Sequence, residues 1–268
     1  MSFPWSIWHT RCYRKGMAGF TDIGIGRESG VVQGHFGDPV RVSEALFSRG
    51  RGMNSPRRPL FVLLHGWGSN EEDIAGFFGS YVSPFSDYVS LRAPLALAGP
   101  QDAGADGGPG AYTWFHDPVP HGDDLDRDIY QAARAVDRWI EESVPQERDI
   151  VLFGFSQGGA LTVHMLRMRP ERYKGAVCLS GFLAPAVVPG VAPADARLAQ
   201  IAPPVFYGYG LRDDMIARFE SSALAAFLEE KTFLKLCEYA PLDHAVSLDE
   251  CNDIRQWLMD LGASSGVM

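Results

Sequence analysis

The sequence predicts an α/β fold: one mainly parallel sheet with helices on both faces. Three observations carry that prediction. From Pro59 onward, short apolar runs of strand length alternate with longer amphipathic stretches of helix length. The short runs are apolar almost throughout rather than at every second residue, as strands covered on both faces are. The length of 268 residues, with 46% hydrophobic and 21% charged residues, suits a globular chain with a sizeable core. Strands and helices alternating in this way imply right-handed crossovers, which bring the C-terminal ends of the strands, where sites are built, to one edge.

Residues 1–58 read as an irregular N-terminal extension, and 59–268 as the folded body. Residues 1–59 carry nine Lys/Arg against four acids, a charge of +5, which leaves −14 on the remainder. That segment also lacks a sustained period of 3.6 or 2, and holds at most one short hairpin around Gly30–Val42. A basic arm for a partner is the functional alternative, resting on charge asymmetry alone. In the body, the expected strands are Leu60–Leu64, Tyr88–Leu91, Asp149–Phe153, Gly175–Leu179, Pro204–Tyr209 and Thr232–Glu238. The expected helices are Glu72–Tyr81, Leu125–Glu142, Gly158–Met168, Ile216–Glu230 and Leu248–Leu261. Within Leu125–Glu142, Ile129, Ala132, Ala133, Val136, Trp139 and Ile140 recur at steps of three and four and mark one buried face.

Composition narrows the function classes. A net charge of −9 argues against a nucleic-acid surface. No apolar run reaches the roughly 18–20 residues needed to span a bilayer, so no stable membrane insertion is expected. Cys12, Cys178, Cys237 and Cys251 form no C-x-x-C pair, and neither a zinc nor a disulfide framework is expected. MSFPWSIWHTRCYRKG has no extended apolar core of a secretory signal, which points to a reducing cytoplasm.

After the apolar run DIVLF comes Gly154-Phe155-Ser156-Gln157-Gly158-Gly159-Ala160, followed by a helical pattern. This is G-x-S-x-G in the strand–turn–helix setting that gives it meaning. Such a turn holds Ser156 in a strained conformation with its hydroxyl clear of the sheet, and side chains at 154 and 158 would collide with their neighbours. A hydroxyl is a poor nucleophile until a base takes its proton, and imidazole is the obvious base near neutrality. In this topology the order is Ser, acid, His. Only His164 and His244 follow Ser156; His164 lies within the next helix, whereas His244 sits in a loop at the expected active edge. The acid belongs at the end of the preceding strand, where Asp213 and Asp214 both qualify, one to orient His244 and the other to cap the next helix.

The segments LLHGWGSNEEDI (63–74), RAP (92–94), YTWF (112–115), GFSQGGA (154–160), LSG (179–181), G-L-R-D (210–213) and D-H (243–244) fall in one order at plausible intervals. Together they resemble the phospholipase/carboxylesterase family of α/β-hydrolases, which includes acyl-protein thioesterases and bacterial carboxylesterases, over roughly residues 59–262. The resemblance implies the α/β-hydrolase fold and an acid in G-x-x-D, which matches Asp213. It also implies an oxyanion hole made by the backbone N–H groups of Trp67 and Gln157, with His65 shaping the loop. This chain departs from the family at Trp67, where an aliphatic residue is usual, at His116, and at Tyr207, Tyr209 and Leu211.

The expectation is therefore a serine hydrolase of carboxylic esters or thioesters, with Ser156, His244 and Asp213 as its triad and no cofactor. Its partner is a small-molecule ester, short acyl or aryl, and a homodimer is left open. Two rivals share the fold: an acyltransferase or perhydrolase using the same acyl-enzyme, and a non-catalytic binder. The stretch from His116 to Asp124 holds two imidazoles and three carboxylates. It reads as a polar loop with a helix cap at Asp123 or Asp124 rather than a metal site. The glycine-rich loop 99–110 lacks a P-loop lysine and is expected to border the substrate opening.

Overall fold

LFVLL folds as β2 (Leu60–Leu64) with all five residues buried, as a strand covered on both faces must be. In a computed structural model, which describes residues 40–48, 58–82, 87–97, 110–118, 121–185 and 188–262, it lies inside a seven-stranded sheet. The other strands of that sheet are β1 (Ala45–Phe47), β3 (Tyr88–Leu91), β6 (Ile150–Phe155), β7 (Gly175–Leu179), β8 (Pro204–Gly210) and β9 (Phe233–Tyr239), in the order β1-β3-β2-β6-β7-β8-β9. All pairings are parallel except that of β1 with β3. A small antiparallel pair, β4 (Leu95–Ala96) and β5 (Tyr112–Thr113), stands apart. The helices are α1 (Glu71–Val82), α2 (Gly122–Ser143), α3 (Gln157–Met168), α4 (Asp195–Ile201), α5 (Arg218–Lys231) and α6 (Leu248–Asp260).

Alternation along each strand sorts the core into two layers. Leu60, Val62 and Leu64 face a cluster with Ile129, Val136, Leu161 and Leu224, from α2, α3 and α5. Phe61 and Leu63 face the other side with Ile74, Phe78, Ile254 and Trp257, from α1 and α6. Each aliphatic side chain fully buried in this way stabilises the fold by about 1.5–3 kcal/mol. Five residues of the α2 stripe (Ile129, Ala132, Ala133, Val136, Ile140) are buried as expected. Trp139 is instead half-buried, with its ring 6.1 Å from that of Phe47 on β1.

Two expectations need correction, and a third lies almost wholly outside the described residues. β1 lies within the segment expected to be irregular and forms an edge of the main sheet. The hairpin at Gly30–Val42 falls outside the described residues except for 40–42, which are not strand. The helix expected to be capped by Asp123 or Asp124 begins at Gly122, so both acids sit inside its first turn, near the positive end of the dipole. β9 is the other edge, and its Phe233 and Leu236 are exposed. No described helix is long and apolar enough to cross a membrane.

Candidate active site

Because the strands of the central sheet run parallel, the loops after β2, β6, β8 and β9 all emerge at one edge. The loop after β6 is the sharpest. Ser156 has φ 56° and ψ −117°, a region L-residues rarely occupy, and its N–H donates to the Leu179 carbonyl of β7. The flanking glycines are sterically required: a Cβ on Gly154 would overlap the Gly158 carbonyl, and one on Gly158 would overlap the Leu64 carbonyl of β2. This backbone stands Ser156 at the start of α3, whose first N–H groups lack intrahelical acceptors.

His244 lies in the loop between β9 and α6. Its Nε2 is 3.0 Å from Ser156 Oγ, and its Nδ1 is 2.7 Å from Asp213 Oδ2. With Nδ1–H donating to the carboxylate, Nε2 is left to accept from the serine hydroxyl. Asp213 uses its other oxygen as well: Oδ1 accepts from the N–H groups of Met215 and Ile216, at 2.9 and 2.8 Å. Oδ1 thereby fixes the bend at 214–216 rather than the next helix, which begins only at Arg218 after Ala217 with no side-chain cap. The cap expected of one of the two aspartates is therefore not made, and Asp214 lies on that exposed bend. Burial alone would raise the Asp213 carboxyl, but the His244 hydrogen bond and the two N–H donors outweigh it and hold it below the usual range.

Gly210, at the end of β8, explains how two distant loops meet. A Cβ there would overlap the carbonyls of Leu242 and Asp243, so the His244 loop passes directly against the strand end. The Arg212 N–H donates to the Leu242 carbonyl at 2.9 Å and fixes that passage.

The loop after β2 also reaches Ser156. A Cβ on Gly66 would stand 3.3 Å from Ser156 Cβ, so the amide of Trp67 follows a residue in contact with it. His65 shapes this loop: its Nδ1 bonds the Gly66 carbonyl at 2.8 Å, and its Nε2 accepts from the Ala93 N–H at 3.0 Å. Burial pushes His65 down to about 4, so the ring is neutral at pH 7. Gln157 has a second role that its place in the motif does not reveal. Its Oε1 accepts from Thr113 Oγ1 and the Trp114 N–H, and its Nε2 donates to the carbonyls of Asp117 and Pro118. Gln157 therefore straps the 113–118 loop to the Ser156 turn.

The remaining polar candidates lie apart from this constellation. His116 binds Asp128 of α2, with Nδ1 2.8 Å from Oδ2. His164 is buried within α3 with both ring nitrogens lacking a hydrogen-bond partner. Among the described residues no three His, Cys, Asp or Glu side chains are grouped to hold a metal ion, and Cys178, Cys237 and Cys251 are unpaired. The loop 99–110 lies outside the described residues except for Gly110.

Fold and site together define a hydrolase of the α/β-hydrolase class. Residues 52–261 match the Phospholipase/Carboxylesterase family, and the chain belongs to that family of ester hydrolases. It is similar to a probable carboxylesterase of Oryza sativa subsp. japonica, with 28% identity over 77% of this chain and 90% of the relative. It is also similar to acyl-protein thioesterase 1 of Kluyveromyces lactis, with 26% identity over 76% of this chain and 92% of the relative. Among solved structures, acyl-protein thioesterase 2 of Zea mays shares the fold with a TM-score of 0.61, at 20% identity over 81% of this chain and 98% of that one.

Proposed function

We propose that the chain hydrolyses carboxylic esters or thioesters through an acyl-enzyme on Ser156. Its Oγ attacks the carbonyl carbon as His244 Nε2 takes the hydroxyl proton, and Asp213 holds the imidazole in the matching tautomer. The backbone N–H groups of Trp67 and Gln157 stabilise the oxyanion as it forms. His244 returns the proton to the departing alcohol or thiol. It then activates a water, whose attack releases the carboxylic acid and restores Ser156. The observation that carries this reading is the continuous relay from Ser156 Oγ to His244 Nε2 at 3.0 Å and from His244 Nδ1 to Asp213 Oδ2 at 2.7 Å. Short acyl or aryl esters are the substrates of choice.

A fluorophosphonate serine probe should label the wild-type chain and leave Ser156→Ala unlabelled. In the same variant, turnover of p-nitrophenyl acetate should fall on the order of 10⁴–10⁶-fold. A wild type that resists the probe, or a Ser156→Ala variant that keeps its turnover, would overturn the reading. Running the assay with competing alcohols, thiols or peroxide separates hydrolysis from acyl transfer to those acceptors.

A further inference from the structure

Phe155 precedes the nucleophile, and the steps above give it no task. It shares its face of β6 with Phe153, whose ring packs 4.5 Å from that of Phe78 in the layer under α1 and α6. Phe155 lies at the strand's end and stays half-buried. Its ring centroid is 5.0 Å from that of the His244 imidazole, with the planes inclined at 43°. On the other side a Cβ on Gly66 would come within 3.3 Å of Phe155 Cδ1, so the ring also touches the loop that leads to Trp67. One aromatic side chain thus stands between the base and the proposed oxyanion loop.

We propose that Phe155 is a positioning residue for the reaction: its ring holds the His244 imidazole toward Ser156 and favours the imidazolium formed during acylation. This rests on the acyl-enzyme reading given above. A cation within about 6 Å of an aromatic centroid is attracted by the ring's quadrupole, and the imidazole meets that distance once protonated. The titratable groups around it are Asp213 from the β8–α5 loop, which bonds Nδ1, Asp243 in its own loop, and neutral His65 just before Gly66 in the loop after β2. The ring on β6 adds an uncharged aromatic contact, 5.0 Å from the imidazole centroid, beside the charged one that Asp213 makes at Nδ1. Its contact with Gly66 also ties the base to the loop that receives the oxyanion, so both move with the elbow that carries the nucleophile.

The experiment is the pH dependence of kcat/KM for p-nitrophenyl acetate in Phe155→Leu, Phe155→Tyr and a chain carrying pentafluorophenylalanine at 155. The last keeps the ring's shape and reverses its quadrupole. Loss of the attraction makes the imidazolium less stable, so the acid limb of the profile moves to lower pH by about half a unit in the Leu and pentafluoro chains. Their plateau kcat/KM falls about threefold through kcat, with KM unchanged, while Phe155→Tyr keeps the wild-type profile. An acid limb that stays in place in the pentafluoro chain overturns the inference, and this holds even if Phe155→Leu fails to fold. Fluorophosphonate labelling run alongside keeps the two readings distinct. Labelled wild type with an unmoved limb rejects the role of Phe155 alone, whereas unlabelled wild type rejects the acyl-enzyme itself.

Discussion

Asp213 and Glu250 are both carboxylates taken out of water, the first at the end of β8 and the second in the first turn of α6. Asp213 accepts from an imidazole N–H and two backbone N–H groups, and is held below the usual carboxylate range in spite of burial. Neither Glu250 oxygen has a well-formed hydrogen bond, and burial, against the weaker pull of the Ser247 backbone N–H, pushes it up to about 8. It lies against β8 so closely that a Cβ on Gly208 would overlap its Oε1. Desolvation acts in the same direction on both; the donors decide which one ionises. At neutral pH Asp213 is an anion able to orient a base, and Glu250 is a neutral acid that adds shape to the core. The difference teaches that supporting donors, rather than depth or residue type, decide which buried carboxylate is ionised here.

The largest expected effect tests the donor side of this contrast. Asp213→Asn should lower kcat about 10³–10⁴-fold, because an amide N–H facing Nδ1 favours the wrong imidazole tautomer. Asp214→Asn should stay within about threefold of wild type in the same p-nitrophenyl acetate assay. If Asp214→Asn alone abolishes turnover, the contrast fails at its first term.

Glu250→Gln tests the other side and should change turnover less than about twofold. With a folded value near 8 and an ordinary value of 4.5, the unfolded chain releases its proton first as pH rises. Wild-type stability therefore falls between those limits, by up to about 1.4 kcal/mol per pH unit. The Gln variant lacks this slope. Urea unfolding should show it level with wild type near pH 5 and roughly 3–4 kcal/mol more stable by pH 8. Identical slopes for the two chains would mean that Glu250 finds a partner in solution.

His164 sharpens the comparison with a base in place of an acid. Burial, then Arg167, push it down to about 3, and neither nitrogen has a partner. Since the unfolded ring protonates first as pH falls below 6.5, wild-type stability drops from there toward 3. His164→Leu removes two orphan nitrogens at similar volume and should stabilise the fold by about 1 kcal/mol at pH 7. Thermal unfolding should show a larger gain at pH 5, and a loss at both pH values would assign the ring a bond with an ordered water.

The parts of the fold read correctly from sequence were those with long apolar stretches or strong turn chemistry. β2, β3 and β7 match their expected bounds residue for residue; each is a short, mainly apolar run bounded by polar, charged or proline residues. β1, β4, β5 and α4 span two to seven residues, too few to establish a period, and were not foreseen. At the site, the elbow and the order of Ser156 and His244 followed from spacing. Asp213 and Asp214 could not be separated by their own chemistry, because the answer lay in a carboxylate using both oxygens in different directions. Glu250 was missed for a related reason. Ser247-x-x-Glu250 has the form of a reciprocal helix cap, yet the Glu250 N–H to Ser247 Oγ half is well formed while the carboxyl, only weakly held by the Ser247 N–H, packs against Gly208. Phe155 and the Gln157 side chain make their contacts with residues distant in sequence, which no local pattern encodes.

The passage of the His244 loop across Gly210 is secured by main-chain atoms: two carbonyls fitted where a side chain would stand, and an amide that bonds one of them. A registration of that kind is indifferent to the identities of residues 240–242. A combinatorial library randomised at those three codons should retain hydrolytic clones at high frequency, whereas any residue with a β-carbon at 210 should leave almost none. If His244 is the base of the proposed reaction, the segment beside it is thus a part of the rim open to redesign for new leaving groups.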